Sequence, residues 1–166
     1  VCVNMMRDHG VIFFKFDGMG GGNTATGAGM EAADDIDAVL DLTRTLRREN
    51  PGVFISATVG TWASPFWTFY SDSIWRQGGD TGFFGPGDTR RQWITYRDKY
   101  CYERIVQRGP LYPLNSLMLH GLLIGDRRSP ARIALNEKSV ADEIWTLFGS
   151  GTCLQELYIN PNLLTE

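Results

Sequence analysis

The order of patterns along this chain constrains its fold more than any single residue does. An apolar run is followed by a glycine-rich stretch, a helical period, a turn and a second apolar run. Residues 11–16 (VIFFKF) are broken only by Lys15, and β-branched and aromatic residues bounded by glycine predict a buried strand. Residues 31–48 show helical spacing, with Ile36, Val39, Leu40 and Leu46 on one face. Acidic side chains gather at the start of this stretch and Arg44, Arg47 and Arg48 at its end, as the helix dipole favours. Asn50-Pro51-Gly52 stops it, and residues 53–59 (VFISATV) predict the next strand. Strand, loop, helix, turn and strand in that order are the mark of a parallel α/β sheet.

The pattern continues. Residues 61–75, rich in tryptophan, predict a long loop and a strand. Residues 90–107 predict a helix with Trp93, Tyr96, Tyr100 and Ile105 inside. Residues 116–124 (SLMLHGLLI) predict a strand, 139–148 a short amphipathic helix, and 154–159 a last strand. Such units suit a doubly wound sheet or part of a (β/α)8 barrel. A whole barrel takes about 250 residues, so the preferred reading of these 166 residues is a single partial (β/α)8 TIM-barrel domain, about strands four to eight, cut at both ends.

Composition narrows the function. The formal charge is −3, with 43% hydrophobic and 21% charged residues, which excludes a disordered tail and a nucleic-acid binder driven by bulk positive charge. No apolar run reaches the roughly 18–20 residues of a membrane-spanning helix, and residues 1–10, with Arg7, Asp8 and His9, do not read as a secretory leader. An extracellular or periplasmic setting is favoured over a cytoplasmic one. Cys2, Cys101 and Cys153 lie far apart and form neither a disulfide framework nor a metal-ligand pattern.

In parallel α/β folds the chemistry sits where strands end. Lys15 and Asp17, two apart, share one side of the first strand. They would form a site there, or a buried ion pair, or Asp17 would simply help the chain turn. At a second strand end, Trp75-Arg76-Gln77-Gly78-Gly79-Asp80 follows Tyr70-Ser71-Asp72. Arginine offers a rigid fork of donors to sugar hydroxyls or carboxylates, and tryptophan a flat face for a sugar ring; the plainer reading is a surface turn. The third end, residues 109–115, supplies Tyr112, and His120 after it reads best as a satisfied core histidine. Two carboxylates across a cleft are what glycoside hydrolysis requires, one as nucleophile and one as acid and then base. Asp17 with Asp80, or with Asp72, fits those roles.

At these residues the chain resembles the melibiase clan of retaining α-galactosidases and α-N-acetylgalactosaminidases, built on a (β/α)8 barrel. FFKFDG (residues 13–18) resembles the clan's fourth-strand motif and SIWRQGGD (73–80) its motif after the sixth strand. The resemblance implies Asp17 as nucleophile, Lys15 as a sugar-hydroxyl contact, Asp80 as acid/base and Arg76 as a binding residue. YSD (70–72) instead resembles the bacterial branch's TSD, which makes Asp72 the alternative acid/base. GPLYPLNSLMLHG (109–121) resembles the seventh-strand region. Trp62, Trp75 and Tyr112 complete the expected sugar contacts. The segment ISATVGTWASPFW departs from the clan, placing Thr58, Thr61, Trp62 and Trp67 where its members recognise the substituent at carbon two. The resemblance implies no cofactor and no metal. It implies an oligosaccharide or glycoconjugate substrate; composition predicts no nucleic-acid or membrane partner, and the open strand edges of a partial barrel predict self-association. Two other readings stand beside it. One is a non-catalytic carbohydrate-binding barrel. The other is a phosphate site at the glycine-rich stretch, disfavoured by the acidic first helical turn.

Overall fold

The computed structural model describes residues 1–17, 30–58, 63–109, 111–125, 133, 137–152 and 154–164, and the side chains of all these except 30–36 and 137. Trp62, Thr61, Cys153 and the glycine-rich stretch 18–29, all singled out above, lie outside the described residues. The chain is α/β, every described strand pairing is parallel, and it divides into two compact units, Val1–Trp75 and Arg76–Glu166.

The first unit opens on a helix absent from the sequence expectations, α1 (Cys2–His9). Gly10 ends it in the left-handed region (φ 66°): its N–H donates to Met6 O at 3.1 Å and that of Val11 to Met5 O at 3.2 Å, the paired closure that glycine favours. Strand β1 (Phe13–Phe16) begins two residues later than expected, α2 covers Met30–Glu49, and β2 is Phe54–Ala57. Residues 63–75 hold a 3₁₀ turn (Pro65–Phe69) capped by the Ser64 hydroxyl, and then the expected strand, β3 (Ser73–Trp75).

The strands lie in the order β1-β2-β3, with Phe14 beside Ile55, Lys15 beside Ser56, Ser56 beside Ser73 and Ala57 beside Ile74. Side chains alternate across a sheet, so Phe14 and Ile55 pack with Met6, Leu46 and Val53 into the core beneath the helices. Phe13, Lys15, Phe54, Ser56 and Ser73 share the other face. There Phe13 stacks on Phe54 with ring centroids 5.2 Å apart, and the Ser73 hydroxyl donates to Ser56 Oγ at 2.9 Å.

In the second unit α3 (Thr89–Tyr100) is capped by Asp88, whose carboxylate accepts from the Arg91 N–H at 2.9 Å. The helix expected to run on to residue 107 does continue, but from Cys101 to Val106 it is wound as a π-helix. Trp93 and Ile105 are buried as expected, whereas Tyr96 and Tyr100 are half-buried. Strands β4 (Leu117–Ile124) and β5 (Leu154–Ile159) flank α4 (Glu137–Gly149) in sequence and pair with each other, His120 beside Glu156. A bulge interrupts the pairing between His120 and Leu123. Under α3 and α4 lies a buried charge cluster. Glu143 accepts from Arg90 and, at 2.8 Å, from Trp93 Nε1, and Arg97 Nη1 stands 3.8 Å away. Removing one member would strand its partner's charge, which is the costly way to break such a cluster.

Candidate active site

Asp17 follows β1 directly, at the carboxyl end of the first unit's strands. The Thr58 hydroxyl, just past the end of β2, lies 3.1 Å from Asp17 Oδ1 and 2.9 Å from Phe16 O, while the Thr58 N–H donates to Phe16 O at 2.9 Å. Thr58 thus ties the strand end and the carboxylate to β2. Lys15, two residues back, lies on the same face, and both charged side chains are exposed. The buried setting that a closed interior would impose on them is not found in this unit.

Asp72 is placed differently. Its carboxylate accepts from the Ile55 N–H at 2.7 Å and from Arg47 Nη2 at 2.6 Å, and Arg47 also donates to Val53 O. It precedes β3, level with Ile55, whereas Asp17 continues β1 to the level of Thr58. Three strand positions separate the two levels, about 10 Å, and an odd separation puts Asp72 on the helix-covered face. Asp72, the sequence alternative for the acid/base, is thus placed as an anchor between β2 and α2, at the opposite end of the strands from Asp17.

In the second unit Asp80 sits on a tight turn with its side chain exposed. Gln77 and Gly78 both adopt positive φ (69° and 86°), a conformation glycine accepts and glutamine rarely does. Arg76 is wholly buried beneath this turn. Its Nη1 donates to Gln77 O at 2.7 Å, and its Nη2 to Gly79 O and Asp80 O at 3.0 and 3.1 Å. Its guanidinium lies 5.6 Å from both the Trp93 and the Tyr96 ring centres. The Gly79 N–H donates to Tyr96 Oη at 2.9 Å. A Cβ on Gly78 would stand 2.5 Å from the Tyr100 ring, and one on Gly82 2.4 Å from Tyr96, so the chain rests directly on two aromatic faces.

Beside the turn, His120 is 4% exposed. Its Nδ1 lies 2.6 Å from Asp80 O, its Nε2 is 3.6 Å from Glu156 Oε2, and the Tyr158 ring meets it edge-on at 4.7 Å. Burial pushes the imidazole below its ordinary pKa of 6.5, outweighing the hydrogen bond to Asp80. His120 is thus a satisfied buried histidine, as its apolar setting in the sequence predicts.

Three residues expected as sugar contacts are buried. Arg76 points into its own turn, Trp75 is 8% exposed, and Tyr112 donates its hydroxyl to Ser116 O. Residues the sequence did not single out for the site are Glu156 and Tyr158; their alternate spacing on β5, opposite His120, is the signal that could have found them. Among the described residues no cluster of three or more His, Cys, Asp or Glu side chains could hold a metal. Cys2 and Cys101 are free and half-buried, and burial pushes the Cys101 thiol up to about 11, far from a reactive thiolate.

The first unit thus presents Asp17, exposed just past the end of β1 and beside the Thr58 hydroxyl, and the second presents Asp80, exposed on a braced turn. Comparison with known proteins adds no identity to this geometry: no family model, no curated protein and no solved structure matches the chain.

Proposed function

We propose that this chain is catalytic (β/α)8-barrel material of a retaining α-glycoside hydrolase, acting on terminal α-galactosides. The observation that carries the reading is Asp17: an exposed carboxylate immediately after a parallel strand, on one face with Lys15 and oriented by the Thr58 hydroxyl. Strand ends of this kind are where barrel enzymes keep their chemistry. The galactose configuration rests on the likeness of FFKFDG and SIWRQGGD to the melibiase motifs.

The reaction has two steps. The Asp17 carboxylate attacks the anomeric carbon as the glycosidic C–O bond breaks, and Asp80 gives its proton to the departing oxygen. Asp80, now ionised, takes a proton from water while that water attacks the glycosyl-aspartate, which frees Asp17 and restores the acid. Lys15 holds a sugar hydroxyl.

The test is an activated, galactose-configured covalent inactivator applied to the protein in its complete reading frame, with the labelled peptide mapped by mass spectrometry. The expected result is one adduct, on Asp17, and an Asp17→Asn variant whose kcat falls about a thousandfold or more. Unchanged turnover in Asp17→Asn would sink the proposal. Sugar binding that survives Asp17→Ala with Asp80→Ala, from a wild type that hydrolyses nothing, would point to a non-catalytic carbohydrate-binding protein.

A further inference from the structure

The turn that carries Asp80 is gripped by its main-chain oxygens. Arg76 collects the carbonyls of Gln77, Gly79 and Asp80, and the Asp80 carbonyl receives a second donor from His120 at 2.6 Å, the shorter of its two bonds. A carbonyl can only accept, so Nδ1 carries the hydrogen; Nε2 is then an acceptor, 3.6 Å from Glu156 Oε2 and beyond hydrogen-bond reach of it. Glu156 is in turn held by the Tyr158 hydroxyl, which donates to the same Oε2 at 3.0 Å. His120 comes from β4 and the Tyr158 ring that meets it edge-on from β5, so the brace is anchored in the paired strands of this unit and not in the loop it steadies.

We propose that His120 is a positioning residue, with Arg76 as its companion: their joint hold on the Asp80 carbonyl aims the exposed Asp80 carboxylate. The proposal rests on the reading of Asp80 as the acid/base. Carbonyls 77, 79 and 80 are pinned, the Gly79 N–H is tied to Tyr96, and Gly78 and Gly82 are seated on rings, so the backbone beneath Asp80 is gripped along its whole length. What remains to Asp80 is rotation of its own side chain. A general acid needs such a mount, because a misplacement of about 1 Å can cost about a hundredfold in rate.

Two variants separate the position of the donor from mere polarity. In His120→Asn the side-chain N–H stands where Nδ1 stood. In His120→Gln an amide of the same chemistry is carried one carbon further, where Nε2 was, out of line with Asp80 O. The variants are compared in the full chain by kcat and KM on an activated α-galactoside and by hydrogen exchange at the Gly79 amide, which reports the turn without catalysis. The expected result is that His120→Gln loses about tenfold or more in kcat with KM within about twofold, and that its Gly79 amide exchanges about tenfold faster. His120→Asn stays within about threefold of the wild type in both.

Equal exchange at Gly79 in both variants and the wild type overturns the positioning role, whatever the kinetics. If instead exchange separates the variants while Asp80→Asn leaves turnover intact, His120 does hold the turn, and the acid/base reading of Asp80 is what fails.

Discussion

Asp72 shows how far a residue's meaning depends on which end of a strand it occupies. In sequence it competes with Asp80, eight residues away and also beside a tryptophan-rich stretch. In space it accepts two hydrogen bonds, from Ile55 N–H and Arg47, that pin β2 and α2 together. Asp72→Ala leaves the buried Ile55 amide without its acceptor and Arg47 with the Val53 carbonyl, and is expected to lower stability by about 1–3 kcal/mol, with kcat per folded molecule unchanged. Chemical denaturation alongside active-site-titrated kinetics checks this; a kcat loss matching that of Asp80→Asn would return Asp72 to the chemistry. Strand parity was enough to place Lys15 and Asp17 on one face. Nothing in a one-dimensional pattern says that the arginine of WRQGGD turns under its own loop, or that a histidine 40 residues on bonds the Asp80 carbonyl. Those facts belong to chain paths that bring distant residues together.

Among the elements, β5 was legible to the residue, and α2 and β4 nearly so, because long periodic runs with clear stops leave few alternatives. Helix α1 was not, since eight residues ending in charges at Arg7 and Asp8 are a short signal, although Cys2, Val3 and Met6 do line its inward face. Its clearest signal was Gly10, the left-handed stop. The π-helical stretch Cys101–Val106 also left no trace in the helical period, which differs from the ordinary one by less than a residue per turn. At the other end of α3 the signal was plain but unused: Asp88 precedes the first helical residue and caps it. Asp88→Ala should cost about 0.5–2 kcal/mol, read as a shift in the urea midpoint at unchanged slope, while Asp88→Ser should recover most of it. An alanine variant as stable as the wild type would show that the cap carries no weight here.

For the whole molecule, the α/β class and the parallel pairing were predictable from the alternation of strands and helices, and both are present in each unit's own terms. The buried His120 gives stability a pH dependence of known sign. Burial holds its folded pKa below the ordinary 6.5, so as pH falls through 6.5 the unfolded chain takes up a proton that the folded chain refuses. Stability present above that pH is lost below it. Denaturant midpoints measured from about pH 7.5 to about pH 5 should fall more steeply for the wild type than for His120→Asn, which lacks the titrating ring. Parallel curves would mean that His120 titrates alike in both states.

The seating of the Asp80 turn on Tyr96 and Tyr100 has a consequence for how such a chain can diverge. Gly82 meets the Tyr96 ring and Gly78 the Tyr100 ring closer than any side chain could approach. Position 82 can therefore gain a side chain only in a lineage that has already given up the bulk at 96, and position 78 only after 100 has shrunk and the positive φ has been relaxed. These are two pairs of sites, each separated by a stretch of helix, that must be inherited as couples, so a descendant bearing one half of a couple alone would carry a turn that no longer points its aspartate.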